Sequence, residues 1–143
     1  WGIDAADGLR LLAVSTPPSI VVLDPGKSSG GRRDRAARTI ATAISADRWE
    51  VCALSTTLAL AYTAAGRTAA YVVFSASAVH AAAGILLATE AGGIVSDIDG
   101  ESWNVDSDSV LAAATPSLHA ELAATCATLR RVLLLSDKRH YVN

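Results

Sequence analysis

Apolar residues along this chain fall alternately into short unbroken runs and into stripes at helical spacing. Leu9–Val14 and Ser19–Leu23 are two apolar runs split by Thr16-Pro17-Pro18, and both read as strands bounded by a turn. Pro25 through Gly31 is a Pro/Gly/Ser-rich loop and the best candidate for a linker or boundary. From Asp34 to Ala46, Ala37, Ile40, Ala41 and Ile44 recur at i, i+3, i+4 and i+7, which predicts a helix. Trp49–Ala53 reads as a short strand, Thr56–Ala65 as a helix capped by Gly66, and Ala69–Phe74 as a strand. A helix from Ser77 or Ala78 to Ala91 stops at Gly92-Gly93. Strands follow at Ile94–Asp97 and Val110–Ala114, with a turn at Asp99-Gly100. Pro116 opens a last helix to about Leu135, at the first turn where proline is tolerated. This order predicts an α/β fold of layered sheet and helices. The pattern does not dictate the order of strands in the sheet, and no internal repeat is visible.

Composition supports the picture. Of 143 residues, 51% are hydrophobic, 18% charged and only 5% aromatic, so the apolar content is mostly Ala, Val, Leu and Ile. That mix suits Ala-rich helices lying close on Val/Ile strands, and the length is enough for one domain with a real core. A net charge of −2 gives no basic field for nucleic acid. The run Arg32-Arg33-Asp34-Arg35 reads as a solvated loop or helix start. Cys52 and Cys126 are far apart, without metal-ligand spacing, and are expected to be reduced, buried thiols. No apolar run reaches about 18 residues, so no membrane span is expected. With no secretory signal pattern either, the expectation is a cytoplasmic protein without membrane or nucleic-acid partners. The chain contains no Met, even at position 1, so it is expected to start after processing, to be a fragment or to omit residues.

One motif invites a nucleotide reading. Val21 to Ser28 follows a strand and ends in Gly-Lys-Ser, but Val21 stands where a phosphate-binding loop needs its first glycine. The Ser28–Gly31 stretch is also a poor helix start, so a solvated loop is expected there.

The stretch Ala69 to Gly84, continuing through Glu90-Ala91-Gly92-Gly93 to Asp97, resembles the C-terminal signature of the inositol monophosphatase family. Ser55 through Arg67 (STTLALAYTAAGR) is similar to the family run GSAALDLAYVAAGR, and Glu90 to Gly100 matches EAGGxVxDxDG. At the start, Trp1-Gly2-Ile3-Asp4-Ala5-Ala6-Asp7-Gly8 is similar to WxIDPxDGT. The resemblance implies a sugar-phosphatase-like fold, mainly its C-terminal part. Residues 1–31 would be a remnant of the N-terminal metal-motif region and loop, 32–135 the C-terminal α/β domain, and 136–143 a polar tail. In active members the two Asp of that first motif hold metal, so Asp4 and Asp7 are candidate ligands by carry-over. Magnesium prefers such oxygen donors, and two such ions would activate water and stabilise a leaving phosphate-ester oxygen. Without the resemblance, Asp-x-x-Asp-Gly is a common turn or cap pattern. Ser55, in the GSAALD-like run, is a weak candidate for substrate binding.

The departures from the family pattern concentrate on function. The Pro after the first Asp is Ala5, the Thr after Asp-Gly is Leu9, and the Gly opening GSAALD is Leu54. The Asp of that run is Ala59, the Glu two residues after the strand Tyr is Val73, and the metal-binding Asp of the Trp-Asp pair is His80. The upstream acidic motif would precede Trp1, and the connection from Asp7-Gly8 to Asp24-Pro25 is shorter than the family's usual one. His80 suits magnesium poorly, and His119 and His140 show no ligand spacing with it. A neutral, hydrogen-bonding histidine at a helix start is the reading favoured here. A site without metal has little reason to gather several carboxylates, because like charges repel. The expectation is an inositol monophosphatase-like domain that is degenerate and non-catalytic, acting by binding or assembly. The alternative is a magnesium-dependent phosphomonoester hydrolase of inositol-phosphate type, seen as a fragment. A phosphorylated small molecule and a second copy of the chain are the expected partners.

Overall fold

Each of the apolar runs from Ile20 onward becomes a strand of one five-stranded sheet. The computed structural model describes residues 19–137, with side chains through 128; the expected strand at Leu9–Val14, Asp4, Asp7 and the tail from 138 lie outside the described residues. The elements are β1 (Ile20–Asp24), α1 (Gly30–Ser45), β2 (Glu50–Cys52), α2 (Thr56–Ala64), β3 (Ala70–Val73), α3 (Ala78–Glu90), β4 (Ile94–Ser96), β5 (Val110–Ala113) and α4 (Pro116–Asp137). The strand order is β2-β1-β3-β5-β4. β1 runs parallel to β2 and β3, whereas β5 is antiparallel to both β3 and β4. Residues 20–24 therefore belong to the same sheet as everything that follows.

The connections explain why helices cover both faces. The chain leaves β1 through α1 to β2 on one side, then crosses back over β1 through α2 to reach β3. Right-handed crossovers in opposite directions put their helices on opposite faces. Side chains alternate accordingly. Val21, Leu23, Ala70, Val72, Phe74, Leu111 and Ala113 pack with Ala36 and Ala43 of α1 and Leu122 and Cys126 of α4. Val22, Tyr71, Val73, Val110 and Ala112 pack with Ala59 and Leu60 of α2 and Ala81 and Ile85 of α3. Strands buried on both faces read as continuous apolar runs, which is how β3 and β5 appear in the sequence. At the α2–α3 crossing, a Cβ on Gly84 would lie 2.5 Å from Leu60 Cβ, so glycine sets how closely the helices approach.

Two expectations need correction. α1 begins at Gly30, four residues before the helical spacing becomes apolar, and Ser28 just ahead of it is buried rather than solvated. Its first turn has no apolar stripe to betray it, because the core contact starts at Arg35 and Ala36. Arg35 itself is only 6% exposed, so the Arg-rich run is not a wholly solvated face. Its guanidinium donates from Nε to the Cys126 carbonyl (2.9 Å) and from Nη2 to the Ile98 carbonyl (2.9 Å), and pairs through Nη1 with Asp99 Oδ1 (2.8 Å). The charge is satisfied inside the fold and joins α1, α4 and the β4–β5 connection.

Candidate functional site

Parallel strands that diverge to opposite faces leave a crevice at their carboxyl ends. Here the ends of β1 and β3 meet the first turns of α2 and α3. Asp24 and Val73 are register partners on the two strands. Gly26, at φ +59°, turns the chain away from β1, and a Cβ there would lie 2.1 Å from the Ser75 carbonyl oxygen. The turn is closed by the Gly26 amide, which donates to Asp24 Oδ1 at 2.7 Å. The Tyr71 hydroxyl is 3.0 Å from Thr56 Oγ1 and 3.3 Å from Asp24 Oδ2. Burial holds the Tyr71 phenol well above its ordinary pKa, so it is a neutral hydrogen-bonding group, with the nearby Asp24 charge adding to the shift.

The family-derived positions gather at this junction. Val73 and Ala59 are both fully buried in the apolar layer beneath α2 and α3. His80 sits in the first turn of α3, where its side chain is exposed; its amide donates to the Ser77 carbonyl (3.0 Å) and its carbonyl accepts from Thr57 Oγ1 (3.1 Å). Ser55 is the exposed N-cap of α2, and its side chain makes no capping hydrogen bond; its carbonyl accepts from the Ala59 amide. The structure thus brings Ser55, Thr57, Val73 and His80 to one corner.

Among the described residues, no three His, Cys, Asp or Glu side chains are close enough to hold a metal ion. Asp24, at the end of β1, already accepts from an amide and a phenol. The described residues do not by themselves fit a magnesium ion. What they offer is hydroxyls and two helix N-termini without an acid in either first turn, an arrangement that favours an anion over a cation.

Two other polar features escaped the sequence. Tyr71 reads in sequence as one more apolar strand residue, and only the sheet register carries its hydroxyl to Asp24 and Thr56. Ser96 Oγ lies 2.9 Å from His119 Nε2 and 2.6 Å from the Asp97 carbonyl, tying the edge strand β4 to α4. Ser and His are 23 positions apart, and no spacing rule links them.

This architecture recurs in solved structures. The chain superposes on a Thermotoga maritima IMPase with a TM-score of 0.68 at 22% identity, covering 85% of this chain and 45% of that one. It superposes on staphylococcal IMPase-II with a TM-score of 0.65 at 20% identity, covering 89% and 48%. These likenesses define the fold class: the layered α/β fold of the IMPases. In sequence, residues 8–131 match the inositol monophosphatase family, and the chain belongs to that family. It is 46% identical over 63 residues to the inositol-1-monophosphatase ImpA of Mycolicibacterium smegmatis, and 50% identical over 58 residues to an inositol-1-monophosphatase of Mesorhizobium japonicum. Those matches cover 44% and 41% of this chain but 22% of each relative. The chain spans less than half the length of the solved IMPases on which it superposes.

Proposed function

We propose that this chain is a degenerate inositol monophosphatase-like domain that does not hydrolyse phosphate esters and acts by binding or assembly. The observation that carries the reading is the corner itself. Two positions where the family pattern has carboxylates, Ala59 and Val73, are sealed into the core, and the third, His80, offers an imidazole. A carboxylate in either sealed position would be a buried charge needing a cation or a donor, and the apolar replacements remove that need. The hydroxyls and helix N-termini that remain suit a phosphorylated small molecule held without turnover. A cytoplasmic location fits the two free thiols, Cys52 and Cys126, and among the described residues no helix is long and apolar enough to cross a membrane.

The test is hydrolysis of inositol phosphates, fructose bisphosphate and adenosine bisphosphates with added magnesium. No turnover above background is expected. Robust turnover abolished by Asp4→Asn would overturn the reading.

A second reading is favoured by the chain's span, less than half of its solved neighbours. Here the chain is the C-terminal part of a magnesium-dependent phosphomonoesterase, with Asp4 and Asp7 as the metal ligands it carries. A longer native polypeptide with a further acidic motif and magnesium-dependent activity would establish this; an intact mass in cells of 14.7 kDa, the mass of this chain, would exclude it.

A further inference from the structure

The first turn of α1 is open and short of acceptors. β1 ends where the chain diverges to the two sides of the sheet, and residues 25–29 lead from it into α1. Ser29 is the exposed N-cap, and its side chain makes no capping hydrogen bond. The Arg33 amide donates to the Ser29 carbonyl, but the amides of Gly30, Gly31 and Arg32 find no acceptor among the described residues. Gly30 is left-handed at φ +53°, and a Cβ on Gly30 or on Gly31 would meet nothing within 4 Å. A left-handed glycine followed by helical backbone turns successive amides toward one point, a concavity that suits an anion.

Ser28 stands directly ahead of that N-cap and lacks a partner. It is 7% exposed, and its hydroxyl is shut off from solvent with no hydrogen bond to any described residue. A buried hydroxyl without a partner costs stability, so this one calls for a group that the described residues do not supply. Its carbonyl accepts from Arg33 Nη1 at 3.5 Å, which ties the serine to the first turn. The charge here has one sign: from Pro25 to Arg33 the chain carries Lys27, Arg32 and Arg33 and no acid. Arg32 is paired with Asp108, whereas Lys27 and Arg33 are exposed and make no ion pair among the described residues. Asp24 is engaged by the Gly26 amide and the Tyr71 hydroxyl, and Asp34 lies beyond the first turn of α1. The Lys-Ser-Ser-Gly-Gly run lacks the first glycine of a nucleotide loop, yet it keeps what a single oxyanion needs: free amides at a helix start, a hydroxyl and cations.

We propose that the first turn of α1 binds a phosphate group, free or as a monoester, held by the Gly30, Gly31 and Arg32 amides, the Ser28 hydroxyl and the Lys27 and Arg33 charges. The site lies on a different helix from Ser55, Thr57 and His80, and it stands whether or not that corner turns over a substrate. Amide NMR shifts of the 143-residue chain are followed while inorganic phosphate, and separately glycerol phosphate, is added at constant ionic strength. Saturable shifts are expected at Gly30, Gly31 and Arg32, and chloride is expected to produce none. Tighter binding of inorganic phosphate assigns the free anion as occupant; tighter binding of glycerol phosphate assigns a phosphorylated small molecule. Ser28→Ala is expected to weaken binding about three- to tenfold, the loss of one hydrogen bond, while the phosphate-free variant is at least as stable in urea as the parent. Replacing Lys27 and Arg33 together by Gln is expected to weaken binding further and to flatten its dependence on salt. Shifts confined to Ser55, Thr57 and His80, or shifts that never saturate, overturn the proposal. So does a Ser28→Ala variant that binds phosphate as tightly as the parent.

Discussion

Cys126 and His119 show how far burial decides the chemistry of single residues here. Cys126 is fully buried against the α1 side of the sheet, and burial pushes its thiol up to about 11, with the Arg35 charge opposing. Cys52 is only half-buried. A native thiol-reagent titration is therefore expected to label Cys52 readily and Cys126 only after denaturant is added; equal labelling rates in the folded protein would contradict this placement. His119 is held below its ordinary pKa by desolvation beside Ser96. Since the folded value is depressed, the unfolded chain takes up the proton first as pH falls. The associated stability is present above the unfolded value of about 6.5 and is lost as pH drops toward the folded one. The urea midpoint should fall between pH 7.5 and 5.5, and His119→Gln should flatten that slope. The sequence showed Cys126 in an apolar context and His119 without ligand spacing to His80, but neither the Arg35 charge near the thiol nor the serine beside the imidazole.

Between elements, the α1–α4 layer depends on a charge and the α2–α3 layer on small residues. Arg35 satisfies two carbonyls and Asp99 from inside the fold, fastening α1 to α4 and to the β4–β5 connection. Arg35→Ala removes all three contacts and leaves two carbonyls to find water. It is expected to cost about 2–4 kcal/mol in chemical denaturation, a loss shared by several hydrogen bonds and lost stem packing. Arg35→Lys should recover little, because one ammonium cannot reach three acceptors in a planar fork. Nothing in the run Arg32-Arg33-Asp34-Arg35 distinguishes the third arginine from its neighbours; the helix phase does, once α1 is known to start at Gly30. The strands were easier to read. β1, β3 and β5 are bounded by turn residues and filled with Val, Leu and Ala, so type and limits agree with the apolar runs to within a residue or so.

For the whole molecule, the described residues carry the family fold, Ala59 and Val73 are buried in its apolar layer, and on the function proposed above the corner is non-catalytic. Restoring a single ligand should therefore not restore turnover. His80→Asp is expected to fold normally, because the side chain is exposed, and to show no magnesium-dependent release of phosphate from inositol phosphates. Activity in that variant alone would mean that the buried Ala59 and Val73 are no obstacle. The sequence by itself determined the element order, the α/β class, the family and the identity of the altered positions, because these follow from local periodicity and from motifs read in register. Only the tertiary structure decided the strand order, the burial of Ala59, Val73 and Arg35, the Tyr71–Asp24–Thr56 contact and the enclosed Ser28 hydroxyl ahead of α1. Those depend on which distant segments share a face, and the energy of a charge or methyl group is set by what surrounds it rather than by what precedes it in the chain.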